Sequence, residues 1–280
     1  MVRPNPQPRQ RRSLTRGRPR AAAGLGVAVA VGVGAVGART LLVRQAAIAR
    51  RRIGKPLGED AMDADRVWRP KLAGEPVVLA IIGDSIAAGL GAERPKQTLG
   101  ARLAKGLAAR IGRPVRVHTV AVVGSESSDL AAQLDRLGID ADDSSEISPP
   151  DVAVIIVGGN DVTHRIPSKT SAAHLADAVG RLRAAGVAVI VGTCPDLGAL
   201  RPVPQPLRSL AGRQSRVLAA AQADAARRAG ASVVSLRRVV GRMFSDEPDR
   251  MFAIDRFHPS ALGYRRTADA LLPMLVTVFD

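Results

Sequence analysis

From residue 77 onward, short runs of apolar and β-branched residues alternate with longer stretches that mix apolar and polar positions. The five short runs are VVLAII (77–82), VRVHTVAVV (115–123), VAVIIV (152–157), VAVIVG (187–192) and SVVSL (232–236). Continuous apolar runs of this length are typical of strands covered on both faces of a sheet. The stretches between and after them predict helices over about 97–111, 127–138, 170–185, 207–229 and 260–278. This alternation predicts an α/β fold, in which right-handed crossovers place helices on both faces of a parallel sheet.

The first 76 residues follow a different pattern and predict three segments ahead of a folded domain over 77–280. Residues 1–20 are rich in Arg and Pro and cannot form a core, which predicts a disordered basic terminus. Residues 21–38 are eighteen positions without a polar side chain, close to the roughly 20 apolar residues that span a bilayer as a helix. Residues 39–76 carry mixed charges, Pro and Gly and predict a linker.

A basic stretch before an apolar one predicts that residues 21–38 are a membrane anchor or an export signal. The protein is therefore expected to be membrane-anchored or secreted. The small residues at 36–38 suit a signal-peptidase site, whereas the length of the run and the Arg39 that follows favour an uncleaved helix. The alternative, a buried Ala/Gly/Val helix of the folded domain, is disfavoured by the Arg-rich flanks and the poor helix propensity of Gly.

The net charge of +16 is concentrated near the N-terminus. Residues 1–52 contain twelve Arg and no Asp, Glu or Lys, which leaves 29 Lys+Arg against 25 Asp+Glu for residues 53–280. A small basic excess in the folded part does not provide the strong positive surface that nucleic-acid binding requires. We expect the Arg-rich arm to meet a membrane surface, and we expect no nucleic-acid partner.

The sequence gives little support to disulfide or metal chemistry. The chain has one cysteine, Cys194, which excludes an intramolecular disulfide and a Cys-based zinc site. Its position at the end of an apolar run is typical of a buried structural thiol. The four histidines show no metal-ligand spacing such as H-E-x-x-H. We expect neither a metal nor an organic cofactor.

The predicted strands end in glycines and polar residues. The first three strand ends read Gly83-Asp84-Ser85, Gly124-Ser125 and Gly158-Gly159-Asn160-Asp161. The stretch before the last predicted helix adds Asp255 and His258. Ligands of open parallel sheets bind at the carboxyl ends of the strands, so these groups are expected to meet at one edge.

Ser85, His258 and Asp255 are the residue types that a serine hydrolase needs. A serine hydroxyl is a weak nucleophile until a base removes its proton, and imidazole is the usual base near neutral pH. A carboxylate holds the imidazole in the required tautomer and stabilises its cation. Asp255 and His258 are three residues apart across a turn, so the carboxylate can reach one ring nitrogen while the other faces Ser85. The alternatives are a helix N-cap for Ser85 and an ordinary helix-start acid for Asp255.

A tetrahedral intermediate also needs hydrogen-bond donors for its oxyanion. The backbone N–H groups of Ser85 and Gly124 and the side-chain amide of Asn160 are available at neighbouring strand ends. Glycine at 124 lets the backbone approach a ligand closely.

In these blocks the chain resembles the SGNH, or GDSL-type, hydrolases over nearly all of its folded part. The blocks appear in the family's order: GDS with Ser85, an isolated Gly124, GGND with Asn160, and DxxHP with Asp255 and His258. The resemblance implies that Ser85 is the nucleophile, His258 the base and Asp255 the residue that orients the base. It implies that Gly124 and Asn160 join the Ser85 N–H in the oxyanion hole. It also implies a three-layer α/β/α sandwich with a five-stranded parallel, flavodoxin-like sheet.

The expected function is a serine esterase that hydrolyses O-acyl esters through an acyl-enzyme on Ser85. Lipid esters, small acyl esters and acetyl groups on cell-wall sugars fit this chemistry. Six aromatic residues provide few stacking platforms for sugar rings, which favours small acyl or lipid-like esters. An acyltransferase or a thioesterase would use the same triad, and a non-enzymatic anchored binding domain would keep only the fold. The α/β-hydrolase fold is disfavoured because its elbow reads G-x-S-x-G, whereas residue 87 is Ala.

Overall fold

The computed structural model of the chain describes residues 1–2, 21–139 and 148–280, and it describes the side chains of all of these except 21–36. The predicted disordered terminus, residues 1–20, therefore lies outside the described residues from its third position onward.

The chain divides into two compact units, Met1–Arg44 and Gln45–Asp280. The long helix α1 (Ala21–Ile53) begins in the first unit and ends in the second. Among the helices in the described part of the chain, none is both long and apolar enough to cross a membrane. The anchor or export signal at 21–38 stays a prediction, because most of its side chains are outside the description.

The second unit is built on one six-stranded sheet. Its strands are β1 (Val67–Trp68), β2 (Val77–Gly83), β3 (Val115–Thr119), β4 (Val152–Ile156), β5 (Ala188–Gly192) and β6 (Ser232–Val234). Their order across the sheet is β1-β3-β2-β4-β5-β6, and β2 to β6 are parallel. These five parallel strands coincide with the five apolar runs, and their order is the flavodoxin-like one.

The expected number of five strands is corrected to six by β1, which pairs antiparallel with β3 at the sheet edge. A two-residue strand shows no periodicity in a sequence, and β1 lies within the predicted linker 39–76. Trp68 is partly buried there, and its indole N–H donates to the Ala64 carbonyl at 3.1 Å. Because α1 also continues to Ile53, the linker segment holds regular structure near both of its ends.

Helices cover both faces of the sheet. Those that follow α1 are α2 (Ser85–Ala88), α3 (Leu99–Ile111), α4 (Leu130–Arg136), α5 (Gly159–His164), α6 (Ser168–Ala184), α7 (Leu207–Arg228), α8 (Leu236–Val239), α9 (Gly241–Asp246), α10 (Pro248–Met251) and α11 (Ala261–Val276). The five predicted helices correspond to α3, α4, α6, α7 and α11. The short helices were not predicted because one or two turns carry too little amphipathic pattern.

Strand β2 shows how one apolar run serves two cores. Leu79 and Ile81 belong to the apolar cluster that contains α3 and α11, whereas Ala80 and Ile82 belong to the cluster that contains α4 and α6. All four side chains are fully buried. Successive side chains of a strand point to opposite faces, so β2 lies between two helical layers. The architecture is the expected three-layer α/β/α sandwich.

The carboxyl end of β2 is held by the side chain of a buried glutamine, Gln133 of α4. Its Oε1 accepts the Gly83 N–H at 2.8 Å, and its Nε2 donates to the Gly83 carbonyl at 2.9 Å. The same Nε2 lies 3.2 Å from Ser125 Oγ in the loop after β3. One side chain therefore supplies the hydrogen bonds that the sheet no longer provides where its strands diverge.

A second buried glutamine, Gln222 of α7, forms hydrogen bonds with the backbone just after β4 and β5. Its Nε2 donates to the Val157 carbonyl at 3.0 Å, and its Oε1 accepts the Cys194 N–H at 2.7 Å. Both glutamines are only 1% exposed, so their amide groups depend on these bonds.

Gly83 permits β2 and β4 to approach each other closely. Its φ is +132°, and a Cβ at this position would lie 1.8 Å from the Ile156 carbonyl oxygen. That oxygen accepts the Asp84 N–H at 3.0 Å. The close approach fixes the backbone just ahead of Ser85.

We expect Gln133→Ala to lower the free energy of unfolding by about 1–3 kcal/mol, because the buried Gly83 N–H loses its acceptor while the Gly83 carbonyl keeps the Val122 N–H as a donor. Urea-induced unfolding followed by circular dichroism measures the change. Gln214→Ala is the matched control, because Gln214 is exposed on α7 and a surface substitution is expected to change stability by no more than about 0.5 kcal/mol. Equal losses in the two variants would show that the bonds to Gly83 do not stabilise the sheet end.

Candidate active site

Ser85 is the first residue of α2, directly after β2. The N-cap of this helix is Asp84, whose Oδ1 accepts the Ile86 N–H at 2.9 Å. Ser85 is therefore not the capping residue. Its hydroxyl is free of the helix backbone and forms a hydrogen bond with His258 instead.

The structure brings Ser85, His258 and Asp255 into one hydrogen-bonded chain. His258 Nε2 lies 2.9 Å from Ser85 Oγ, and His258 Nδ1 lies 2.5 Å from Asp255 Oδ2. Ser85 is 7% exposed and Asp255 is 4% exposed, so both bonds are largely shielded from water. In this arrangement Nδ1 donates to the carboxylate and Nε2 is left to accept the serine proton.

Two contacts hold the Ser85 and His258 segments together, although the two residues are 173 positions apart. The hydroxyl of buried Tyr264, in α11, donates to the Leu90 carbonyl at 2.7 Å. Gly91 lies directly against the histidine loop, where a Cβ would come within 2.5 Å of the Pro259 carbonyl oxygen. These contacts hold the turn after α2 against the start of α11 and the loop before it.

The loop that carries Asp255 is shaped by its own carboxylate. Asp255 Oδ1 accepts the backbone N–H groups of Phe257 at 2.9 Å and His258 at 3.0 Å, while Oδ2 is left for the imidazole. Burial opposes ionisation of Asp255, but the hydrogen bonds from His258 and Phe257 outweigh it and hold the pKa of the carboxyl below its ordinary value. Asp255 is therefore ionised at neutral pH and faces the imidazole as an anion.

For Asp84, in contrast to Asp255, the effect of burial outweighs that of the hydrogen bonds, so its pKa is raised. Its side chain is 2% exposed, and burial raises its pKa to about 6 against the opposing hydrogen bonds from the Ile86 and Gly159 backbone. The nearby negative charge of Asp161 also acts to raise the pKa. Asp84 thus joins the serine turn to the start of α5 through its carboxyl group.

Asn160 lies in α5 and lines the same cavity as Ser85. Its Nδ2 donates one hydrogen to the Ser125 carbonyl at 2.8 Å, which leaves the second hydrogen of the amide for a ligand. Gly124 precedes Ser125, is exposed and has a φ of +90°, and the space beside its Cα is open. The Asn160 bond therefore ties together the two loops from which the expected oxyanion donors come.

A further pair that the sequence analysis did not identify spans these same loops. Glu126 follows Ser125, and its Oε1 lies 2.5 Å from Nδ1 of His164 at the end of α5. The His164 side chain is 58% exposed, so this contact contributes little to stability. Nothing in the spacing of Glu126 and His164 indicates the contact, which arises because β3 and β4 flank β2 in parallel and end at the same edge of the sheet.

Ser85 is one of the residues that line a mainly apolar cavity, which measures about 780 Å³ with its open mouth included. Gly159 and Asn160 of α5 line it beside Ser85. The rest of its wall is mainly apolar: Ile86, Pro195, Leu197, Ala199, Leu200, Leu236, Val240, Phe244, Phe252, Phe257 and Pro259. A cavity of this kind accepts an apolar group next to the nucleophile.

Among the described side chains, no group of three or more His, Cys, Asp or Glu residues is arranged to hold a metal ion. Cys194 is buried at the end of β5, and burial raises the pKa of its thiol well above the ordinary value. Cys194 is therefore a structural thiol, as its sequence context indicates.

Comparison with known proteins shows similarity to GDSL-like proteins over most of the chain. Residues 81–266 match the model of the GDSL-like Lipase/Acylhydrolase family. The chain is also 40% identical over 246 residues to the GDSL-like esterase Rv1075c of Mycobacterium tuberculosis, an alignment that covers 84% of this chain and 76% of the relative.

Solved structures share the fold at lower sequence identity. LAE5, an alpha/beta hydrolase enzyme from the metagenome of Lake Arreo, is 22% identical with a TM-score of 0.56, covering 74% of this chain and 98% of that one. TesA is 24% identical with a TM-score of 0.55, covering 72% and 99%. A catalytic mutant of Axe2, an acetylxylan esterase from Geobacillus stearothermophilus, is 20% identical with a TM-score of 0.53, covering 72% and 94%. With the family model, the 40% identical relative and the shared fold in agreement, the chain belongs to the GDSL-like lipase/acylhydrolase family.

Proposed function

We propose that the protein is a serine esterase that cleaves O-acyl esters through a covalent acyl-enzyme on Ser85. Its family places it among the hydrolases of ester bonds. The observation that supports the mechanism is the unbroken hydrogen-bonded chain from Asp255 through His258 to the Ser85 hydroxyl. Ser85 also lines a mainly apolar cavity, which is the surface available to the acyl group of an ester.

In the first half of the reaction, Ser85 Oγ attacks the ester carbonyl carbon while its proton moves to His258 Nε2. The carbonyl oxygen becomes an oxyanion, for which the Ser85 N–H, the Gly124 N–H and the free hydrogen of the Asn160 amide are the donors. The C–O bond to the alcohol then breaks, and the alcohol leaves with the proton from Nε2. Asp255 stabilises the imidazolium throughout, which its lowered pKa permits at neutral pH.

In the second half, a water molecule takes the place of the alcohol. His258 Nε2 accepts a proton from this water as its oxygen attacks the acyl carbon. The tetrahedral intermediate collapses with Ser85 as the leaving group, and Nε2 returns the proton to Oγ. The acid is released and the enzyme regains its starting protonation.

The cavity favours an apolar acyl group over a sugar as the part of the substrate held beside Ser85. Apolar residues such as Leu236, Val240 and Phe244 make up most of its lining. The polar side chains in that lining, apart from Ser85 and Asn160, are those of Asp84, Asp196 and Thr267. A chain of several carbons would bury its methylenes there, each contributing about 0.8 kcal/mol. We therefore propose esters of short- to medium-chain fatty acids as substrates.

Ser85→Ala is expected to reduce kcat on p-nitrophenyl butyrate by about 10⁴- to 10⁶-fold, because only the oxyanion donors and binding remain. Ser128→Ala is the matched control, because Ser128 is exposed and outside the cavity lining. The wild type and the control should also react with a fluorophosphonate, whereas Ser85→Ala should not. Wild-type turnover in the Ser85 variant would rule out this nucleophile, and an unlabelled wild type would favour a binding domain without enzymatic activity.

Val240→Phe is expected to lower kcat/KM for p-nitrophenyl hexanoate by about tenfold more than for the acetate, because the larger ring fills the part of the cavity beyond the first carbons. Val239→Phe is the control: Val239 is the neighbouring residue but is 43% exposed. Parallel kinetics on the two esters measure the effect, with a thermal unfolding curve for each variant. An unchanged ratio in a folded Val240 variant would place the acyl chain elsewhere.

Asp84→Asn is expected to change how stability depends on pH between about 4 and 6. The folded-state pKa of Asp84 is raised from 3.8 to about 6, so the folded wild type binds the proton more tightly and loses stability as pH rises through this window. The loss attributable to Asp84 should be on the order of 2–3 kcal/mol and should disappear in the neutral amide. Urea unfolding at a series of pH values tests this, and parallel curves for the two proteins would contradict it.

A further inference from the structure

One side of the apolar cavity is formed by the segment between β5 and α7, residues 195–206, here called the wall segment. Pro195, Leu197 and Leu200 of this segment line the cavity. Its first part is attached to α7, since the Leu197 N–H donates to Ser215 Oγ at 3.1 Å.

The remainder of the wall segment is attached to the end of α1. The Gln45 amide donates to the Gln205 carbonyl, and Gln45 Oε1 accepts the Leu207 N–H at 2.9 Å. Gln45 is 6% exposed, so it is a buried polar side chain whose hydrogen bonds run to the backbone on both sides of Pro206. Pro206 has no N–H of its own. The backbone groups beside it that Gln45 binds are the Gln205 carbonyl and the Leu207 N–H.

Two more residues on the same face of α1 contact the wall segment. Ala49 is buried in one apolar cluster with Leu197, Leu200 and Val203. The Arg52 guanidinium donates to the Pro202 carbonyl at 3.3 Å. Positions 45, 49 and 52 follow the helical spacing i, i+4, i+7, so one stripe of α1 makes all of these contacts.

Leu197 and Leu200 are thus shared between two environments. Each lines the cavity that Ser85 also lines, and each packs against the cluster that contains Ala49. Both are buried, at 6% and 5% exposure. The position of the wall segment therefore depends on its packing against Ala49 of α1, because close-packed side chains cannot shift on one side without a change on the other.

We propose that the end of α1, from Gln45 to Arg52, is a specificity-determining part of the enzyme that holds the wall segment in place and so sets the acyl-chain length it accepts. The inference rests on the proposed esterase function. Gln45, Ala49 and Arg52 are positioning residues, because they act on substrate through Leu197 and Leu200. Because Leu197 and Leu200 line the same cavity as Ser85, a longer acyl chain is expected to contact them more than an acetyl group does.

The test uses the full chain with Gln45→Ala, and with Arg51→Ala as the control, since Arg51 lies on the same helix and its side chain is exposed. The ratio of kcat/KM for p-nitrophenyl hexanoate to that for the acetate should fall about fivefold in Gln45→Ala, the change expected when about one methylene of the longer chain loses its contact with the wall. The ratio should stay at the wild-type value in Arg51→Ala. A general loss of folded enzyme would lower both esters equally and leave the ratio unchanged.

Hydrogen exchange provides a readout that needs no substrate. The Leu207 amide loses its acceptor in Gln45→Ala, so peptides that cover residues 200–207 should exchange about tenfold faster, while the Leu79–Ile82 strand should keep its protection. Faster exchange together with an altered ester ratio supports the proposal. Faster exchange with an unchanged ratio, or an altered ratio with unchanged exchange, would overturn it.

The two proposals can fail separately. If the wild type neither hydrolyses esters nor reacts with fluorophosphonate, the proposed function fails, and binding of hexylphosphonate replaces the ester ratio as the readout for the wall. Equal affinity of wild type and Gln45→Ala for hexylphosphonate would then reject the role of α1, whereas an affinity about fivefold weaker in the variant would support it.

Discussion

The constraint on which this structure depends is the hydrogen bonding of the backbone at the carboxyl edge of the sheet. Parallel strands diverge there, and their N–H and C=O groups lose the partners that the sheet supplied while they remain buried. Gln133 and Gln222 provide the missing bonds, one for β2 and β3 and the other for β4 and β5. Breaking these bonds would leave buried polar groups unpaired, which opposes displacement of the backbone next to Ser85.

A fixed backbone at this edge would keep Ser85 within hydrogen-bonding distance of His258. A serine hydroxyl needs its base within hydrogen-bonding distance before substrate arrives, because positioning accounts for much of the rate of an enzymatic reaction. Gly83 brings β2 against β4, and Gly91 brings the following turn against the histidine loop. Two glycines thus set the position of Ser85 relative to both neighbours, at points where any side chain would push the strands or loops apart.

The sequence alone predicted the parallel strands, the long helices that follow residue 77 and the three residues of the hydrogen-bonded chain, because each leaves a strong local signal; the part of α1 from residue 39 to Ile53 lies in the predicted linker. β-branched runs, amphipathic stretches and polar residues after a buried strand can be recognised one at a time. The strand β1 and the helices α8 to α10 are too short for such a signal. Gln133, Gln222 and Gln45 were missed for another reason: a glutamine in a helix looks exposed until the structure shows which backbone it faces.

The separation of Ser85 from His258 has a consequence for the protein while it is being made. A chain that has emerged from the ribosome only as far as the first half of the sheet carries an ordinary serine with no base beside it. Its hydroxyl is no more reactive toward esters than that of any other serine. In the proposed mechanism Ser85 has its base only when α11 is packed against α3, so hydrolysis would require the completed tertiary structure and would not act on cellular esters during synthesis.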